Sequence, residues 1–171
     1  MRRKGAIAGV LLLLCTSVAG ATTLIKMDFS DLAREANHIV VGTVTGIEGE
    51  YDPSGTFIRS NVTLAVERSL RGQAPDTIVL RTPGGQVGGM EQVALGVANF
   101  EVGERVLVFL TSWGDGTPKV LGYVQGKSRL VVDDQGRARL EGGSSNGRTL
   151  ESVARELRHG PLHNIPLRPA N

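Results

Sequence analysis

Val106-Leu107-Val108-Phe109-Leu110 is an unbroken apolar run with no polar residue inside it. A strand with one wet face alternates apolar and polar side chains, whereas one packed on both faces reads as a continuous apolar stretch rich in β-branched and aromatic residues. The run therefore predicts a strand covered on both sides, the central strand of the core, and its neighbours are read relative to it.

Upstream, Ile39-Val40-Val41-Gly42-Thr43-Val44-Thr45-Gly46-Ile47 is β-branched and punctuated by glycines, which mark bulges or sharp curvature in strands and predict a curled one. Asp52-Pro53-Ser54-Gly55 has the chemistry of a chain reversal, because Pro presets one dihedral and Gly tolerates positive φ. Residues 58–70 then alternate, with Val62, Leu64 and Val66 on one face, as a long hairpin partner does. After the break at Arg71–Asp76, Thr77-Ile78-Val79-Leu80-Arg81 reads as a third strand, and residues 82–100 are glycine-rich. Downstream lie a polar loop from Ser112 to Pro118 carrying Trp113, strand-like segments at 120–124 and 128–132, and a turn at Asp133-Asp134-Gln135-Gly136 leading into 137–140. Strands are expected to dominate residues 39–140.

Helical patterns flank this region. Ser30 as N-cap, Asp31 at the positive end of the dipole, and Leu32, Ala33 and Ala36 predict a short helix over about 30–37. Thr149 as cap, with Leu150, Val153, Ala154 and Leu157 at i, i+3, i+4 and i+7, predicts a C-terminal helix docked by its apolar stripe and stopped at Gly160-Pro161. Short strands, frequent turns and a helix at each end predict a mainly β (α+β) fold. The expected form is a small closed or nearly closed β-barrel, with a two-sheet β-sandwich as the alternative.

The N-terminus reads as an export signal. Arg2-Arg3-Lys4, an apolar run ending at Leu14, and Ala19-Gly20-Ala21 make residues 1–21 a secretory signal peptide, with the mature chain starting near Thr22. The run is shorter than the roughly 20 residues of a spanning helix and no basic stop-transfer cluster follows it, so no membrane insertion after cleavage is expected. The leader takes three of the 19 basic residues and none of the 17 acidic ones, turning a formal charge of +2 into −1. That removes the electrostatic case for a nucleic-acid partner. The only cysteine, Cys15, lies in the leader, so the mature chain forms no disulfide; Leu14 before it is unlike the small residue of a lipobox. Residues 22–160 are expected to form one domain and 161–171 a flexible tail.

Five stretches carry a resemblance: Ala36 to Val44, Val66 to Gly72, Thr82-Pro83-Gly84-Gly85, Val102 to Leu110, and Gln125-Gly126-Lys127. Together they resemble an uncharacterised family of exported bacterial proteins over about residues 36–132. The order of elements is also similar, distantly, to netrin-like, OB-type barrels that include tissue inhibitors of metalloproteinases. That likeness implies a five-stranded OB-like Greek-key barrel with flanking helices, located in the periplasm or outside the cell. The inhibitors act through an N-terminal, disulfide-tied cysteine at a protease zinc; the mature chain has no cysteine, so the likeness implies fold and not mechanism.

Among chemistry-bearing residues, Gly84-Gly85-Gln86-Val87-Gly88-Gly89 lacks the Gly-Lys-Ser/Thr ending of a phosphate loop and opens no helix. It reads as a wide crossover or a lip beside a barrel mouth. Gly84, Gly85, Gln86, Gly88 and Gly89, with Trp113, form the expected ligand surface, because loop-framed concavities are common binding sites. Glu104, Arg105 and Lys127 flank the most apolar segments and are expected to form a partly buried structural ion pair tying the core strand to the turn at 125–127. His38, His159 and His163 lack a local nucleophile motif, and Lys127 and Ser128, as strand neighbours, point to opposite faces. Gly160-Pro161 breaks the helical spacing of His159 and His163, and Asp133 and Asp134 read as turn residues, so neither metal nor cofactor is expected. The expected function is that of an exported, non-enzymatic binding domain using loops at one end of the barrel, its partner an envelope or extracellular protein or glycan. The alternatives are a protease inhibitor or protease-associated domain, and a secreted hydrolase with an unconventional site whose turnover would depend on His38.

Overall fold

The computed structural model describes residues 25–159; the expected leader (1–21), the expected tail (161–171) and His163 lie outside the described residues. In chain order come α1 (Phe29–Glu35), β1 (His38–Tyr51), β2 (Ile58–Arg71), β3 (Thr77–Pro83), β4 (Gly85–Val87), β5 (Met90–Gln92), β6 (Arg105–Ser112), β7 (Pro118–Val120), β8 (Lys127–Val132), β9 (Ala138–Glu141) and α2 (Leu150–His159). The fold is mainly β, with an antiparallel seven-stranded sheet in the order β3-β2-β1-β6-β8-β9. Strand β7 pairs with β6 beside β8, and β4 and β5 form a separate two-stranded sheet. Among the described residues no ladder joins the two ends of the sheet, β3 and β9.

The apolar run sits where its composition requires. Strand β6 pairs with β1 on one edge and with β7 and β8 on the other, and Val106 to Leu110 are all at most 1% exposed. Because side chains alternate along a strand, the run serves two cores. Leu107 and Phe109 face a layer built with Ile39, Val41, Leu130, Leu140 and both α-helices. Val106, Val108 and Leu110 face the opposite layer with Val44, Val62, Leu64, Ile78 and Leu80. Phe29 of α1 meets Phe109 edge to face, with ring centroids 5.7 Å apart. Full burial of each such side chain is worth about 1.5–3 kcal/mol, so this strand anchors the molecule from both sides.

Strand β1 bends as its glycines predict. Its pairing with β2 shifts register between Ile39 and Val40, between Val41 and Gly42, and between Val44 and Gly46. Bulges of this kind increase local twist, which carries one long ribbon around the apolar interior. The curl brings β3 near the β6–β7 turn, where Trp113 Nε1 donates to the Arg81 carbonyl at 3.4 Å and Arg81 Nη1 lies 2.8 Å from Asp115 Oδ2.

Three local expectations are corrected. Helix α1 is capped two residues earlier than Ser30 would dictate, because Asp28 accepts from Asp31 N–H while Asp31 accepts from Asp28 N–H, a reciprocal capping box. Only Val120 of the expected 120–124 strand is extended in β7; a left-handed turn at Gly122 and Tyr123 leads into a 3-10 turn at Tyr123–Gly126. The glycine-rich crossover is a formed hairpin: Gly88 and Gly89, at φ 54° and 83°, are its two-residue turn between Val87 and Met90. No helix among the described residues is long and apolar enough to cross a membrane.

Candidate functional site

The inward faces of β2 and β3 change character toward one end. Val62, Leu64, Ile78 and Leu80 are apolar, but the next inward positions, Ser60 and Thr82, are register partners and both buried. Two hydroxyls thus stand side by side where the interior opens. Ser60 donates to the Gly84 carbonyl at 2.8 Å, while among the described residues no hydrogen bond reaches the Thr82 hydroxyl, although the residue is only 9% exposed.

The β4–β5 hairpin closes over this floor. The Gly84 N–H donates to the Ile58 carbonyl at 2.9 Å, and the Ile58 N–H donates to Gln92 Oε1 at 2.7 Å, so the end of β2 is clamped from both sides of the hairpin. A Cβ on Gly49 of β1 would overlap the Gln86 carbonyl, so the absence of a side chain lets the hairpin lie against the sheet. Between the hairpin, the Ser60–Thr82 floor and the segment Ala98-Asn99-Phe100 is a cavity of about 280 Å³, open to solvent on one side.

Of the residues expected to form a ligand surface, Gly84 and Gly85 line this cavity. Gln86, Gly88 and Gly89 belong to the same hairpin but are not among its walls, and neither is Trp113. Trp113 lies against Arg81 on the other side of β3's end, with the Lys119 ammonium 4.1 Å from its ring centroid. The wall residues Ser60, Thr82, Gln92, Asn99 and Phe100 were not singled out by sequence reasoning. The signal for two of them was present: Ser60 interrupts the apolar face of Ile58, Val62 and Leu64, and Thr82 ends the Ile78 and Leu80 face.

The three charged residues divide into two networks. Lys127 Nζ is 2.7 and 2.8 Å from the two Glu104 oxygens and donates to the Asn99 carbonyl at 2.5 Å, while Arg129 Nε is 3.0 Å from Glu104 Oε1. The Glu104 side chain is only 4% exposed. Burial pushes its carboxyl up, but the hydrogen bonds from Lys127 and Arg129 outweigh this and hold it below the usual carboxylate range. Arg105 does not join that group: its guanidinium pairs instead with Glu67, which also accepts from Thr43 Oγ1. Strand alternation explains the split, since adjacent residues Glu104 and Arg105 leave the backbone in opposite directions. The Glu104–Lys127 contact also braces the site, because the Asn99 carbonyl and the Phe100 ring, 4.8 Å from the Lys127 ammonium, belong to its wall.

Among the described residues the cavity walls hold no histidine or lysine, their one ionisable side chain is Glu91, and the Ser60 hydroxyl donates to the Gly84 carbonyl. His38 begins β1 opposite Leu110, with a buried Nδ1 that has no partner among the described residues, and His159 ends α2, exposed. Ser128 donates to the Gly142 carbonyl, away from the Lys127 ammonium. Asp133 accepts from Gln135 N–H and Arg137 N–H and pairs with Arg137 and Arg139, closing the β8–β9 turn. Among the described residues no group of three or more metal-ligating side chains comes together.

A second cavity, of about 480 Å³, lies between Lys26 to Phe29 and the turns at Val124-Gln125 and Gly143-Ser144. Two of its polar side chains are already used. The Gln125 side chain accepts from Met27 N–H and donates to the Ile25 carbonyl, and Ser144 donates to the Met27 carbonyl. That region fixes the start of the described chain, and the hydroxyl left unpartnered at Thr82 distinguishes the first cavity from it. Comparison with known proteins finds no matching family model, no similar curated protein and no similar solved structure.

Proposed function

We propose that this chain is an exported, non-enzymatic binding domain whose ligand seat is the cavity between the β4–β5 hairpin and the ends of β2 and β3. One observation carries the reading: Thr82, only 9% exposed, lines the cavity, and its hydroxyl makes no hydrogen bond among the described residues and so is open to a ligand entering from the solvent side. A ligand that hydrogen-bonds this hydroxyl in place of water gains about 0.5–1.5 kcal/mol net. The pinned hairpin supports the same reading, because a roof held by Gly84, Gln92 and Ser60 offers a preformed site.

For the frame around the site we infer an OB-like curl. The strand order around β1 and β6 and the contacts of Trp113 and Asp115 with Arg81 across the gap beside β3 support it. Export rests on the pattern of residues 1–21, and it places the partner among envelope or extracellular proteins and glycans.

The test uses the chain expressed from Met1 and immobilised after recovery from the envelope or the medium, then exposed to a solubilised envelope extract. Retention of a protein or glycan by the wild type, lost on filling the mouth with Ala94→Trp, supports the reading. Retention of nothing, or equal retention by both proteins, overturns it.

A further inference from the structure

The chemistry of the cavity walls narrows the occupant, and the inference rests on the cavity being the ligand seat. We propose that it takes a neutral saccharide unit, seated with a hydrocarbon face on the apolar wall and its hydroxyls toward Thr82, Gln92 and Asn99.

Charge comes first. No lysine, arginine or histidine lines the cavity, so nothing there would neutralise a phosphate, sulfate or carboxylate. The nearest ammonium, Lys127, is held by both Glu104 oxygens and the Asn99 carbonyl and lies over the Phe100 ring. The single ionisable wall residue is Glu91, which is exposed on β5 and suits acceptance of hydroxyl hydrogen bonds at the rim.

The hydrogen-bonding inventory points the same way. Gln92 uses its Oε1 on the Ile58 N–H, which orients the amide and leaves the Nε2 hydrogens as donors. Thr82 offers a hydroxyl that both donates and accepts, and Asn99 an exposed side-chain amide. Phe100, Ala98 and Val93 supply an apolar surface. A sugar ring presents this same mixture, with C–H groups on its faces and hydroxyls around its rim. The volume of about 280 Å³ lies at the small end of ligand pockets, which suits a single ring, and the open side lets a longer glycan continue into solvent.

The experiment is a two-dimensional NMR titration of the ¹⁵N-labelled chain with four probes: chitotriose, maltotriose, trialanine and glucose 6-phosphate. The expected result is a saturable perturbation by a neutral sugar at the amides of Gly84, Gly85 and Gln92 and at the side-chain amide of Asn99. Salt should change its dissociation constant by less than about twofold, because no charge pair forms. Thr82→Val should weaken binding about tenfold, the usual worth of one buried hydrogen bond, and Thr82→Ser should restore it. Asn99→Ala, at an exposed position that leaves the fold intact, gives a second loss of affinity. Perturbation of these amides by trialanine or glucose 6-phosphate but by neither sugar overturns the saccharide assignment while leaving the cavity as a site. Silence with all four probes also overturns the assignment; the envelope retention lost in Ala94→Trp then decides separately whether the cavity binds anything.

Discussion

At the residue scale, Glu104 shows how the context of a charge sets its worth. Its side chain is 4% exposed and its partner Lys127 14%, so removing either charge leaves the other under cover. Glu104→Gln is expected to destabilise the protein by about 3–5 kcal/mol in urea unfolding, the range for removing one partner of a buried pair. The double variant Glu104→Gln, Lys127→Met should lose less than the sum of the two single changes. Exact additivity would mean the two groups do not interact. Arg105→Ala, at a half-exposed pair with Glu67, should cost under about 1 kcal/mol. The contrast between adjacent residues 104 and 105 follows from the side of the strand on which each emerges.

At the element scale, the β4–β5 hairpin and strand β6 make different demands on their residues. Gly88 lies in open space and needs only its positive φ, so Gly88→Ala should cost about 1–2 kcal/mol. Gly49→Ala would instead push a methyl group into the Gln86 carbonyl, and the hairpin must move away from β1. Hydrogen exchange should then quicken across residues 84–92 while β6 stays protected; unchanged exchange in the hairpin would contradict this packing. In β6, Phe109→Ala and Leu110→Ala open cavities in opposite cores. Each should cost about 3–5 kcal/mol and 2–5 kcal/mol respectively, seen as lowered urea midpoints.

At the scale of the whole molecule, both cores share strands β1 and β6, so they should unfold together in a single transition by every probe. Acid sensitivity is also a property of the whole. Hydrogen bonds from Phe57 and Ser54 hold Asp52 at about 2, and those from Thr117 and Arg81 hold Asp115 at about 2. Arg105 lowers Glu67, and the Arg139 and Arg137 contacts lower Asp133 below the usual range. Each carboxyl binds its proton less readily folded than unfolded, so the stability it contributes is complete above the ordinary carboxylate range and is lost as pH falls through the folded values. The melting temperature should stay level from neutral pH to about 5 and then drop steadily toward pH 2. A rise on acidification would mean that these contacts do not favour the charged forms.

Much of the frame was legible in residue order because it depends on local periodicity. The unbroken run at 106–110, the alternation at 58–66, the glycine-marked bends at 42 and 46 and the stripe at 150–157 each declare a face to be buried, and burial of apolar surface is non-directional. The candidate site was less legible because a cavity is made by pairs distant in sequence. Nothing local says that Ser60 will stand beside Thr82, that Gln92 will reach back to Ile58, or that Lys127 will choose Glu104 and leave Arg105 to Glu67. Amino-acid order by itself determined which apolar faces hide from water and where strand β1 bends. Only the tertiary structure decided which polar groups find partners, because hydrogen bonds and ion pairs act over a few ångströms in fixed directions and exist only once the ladder registers bring their atoms together.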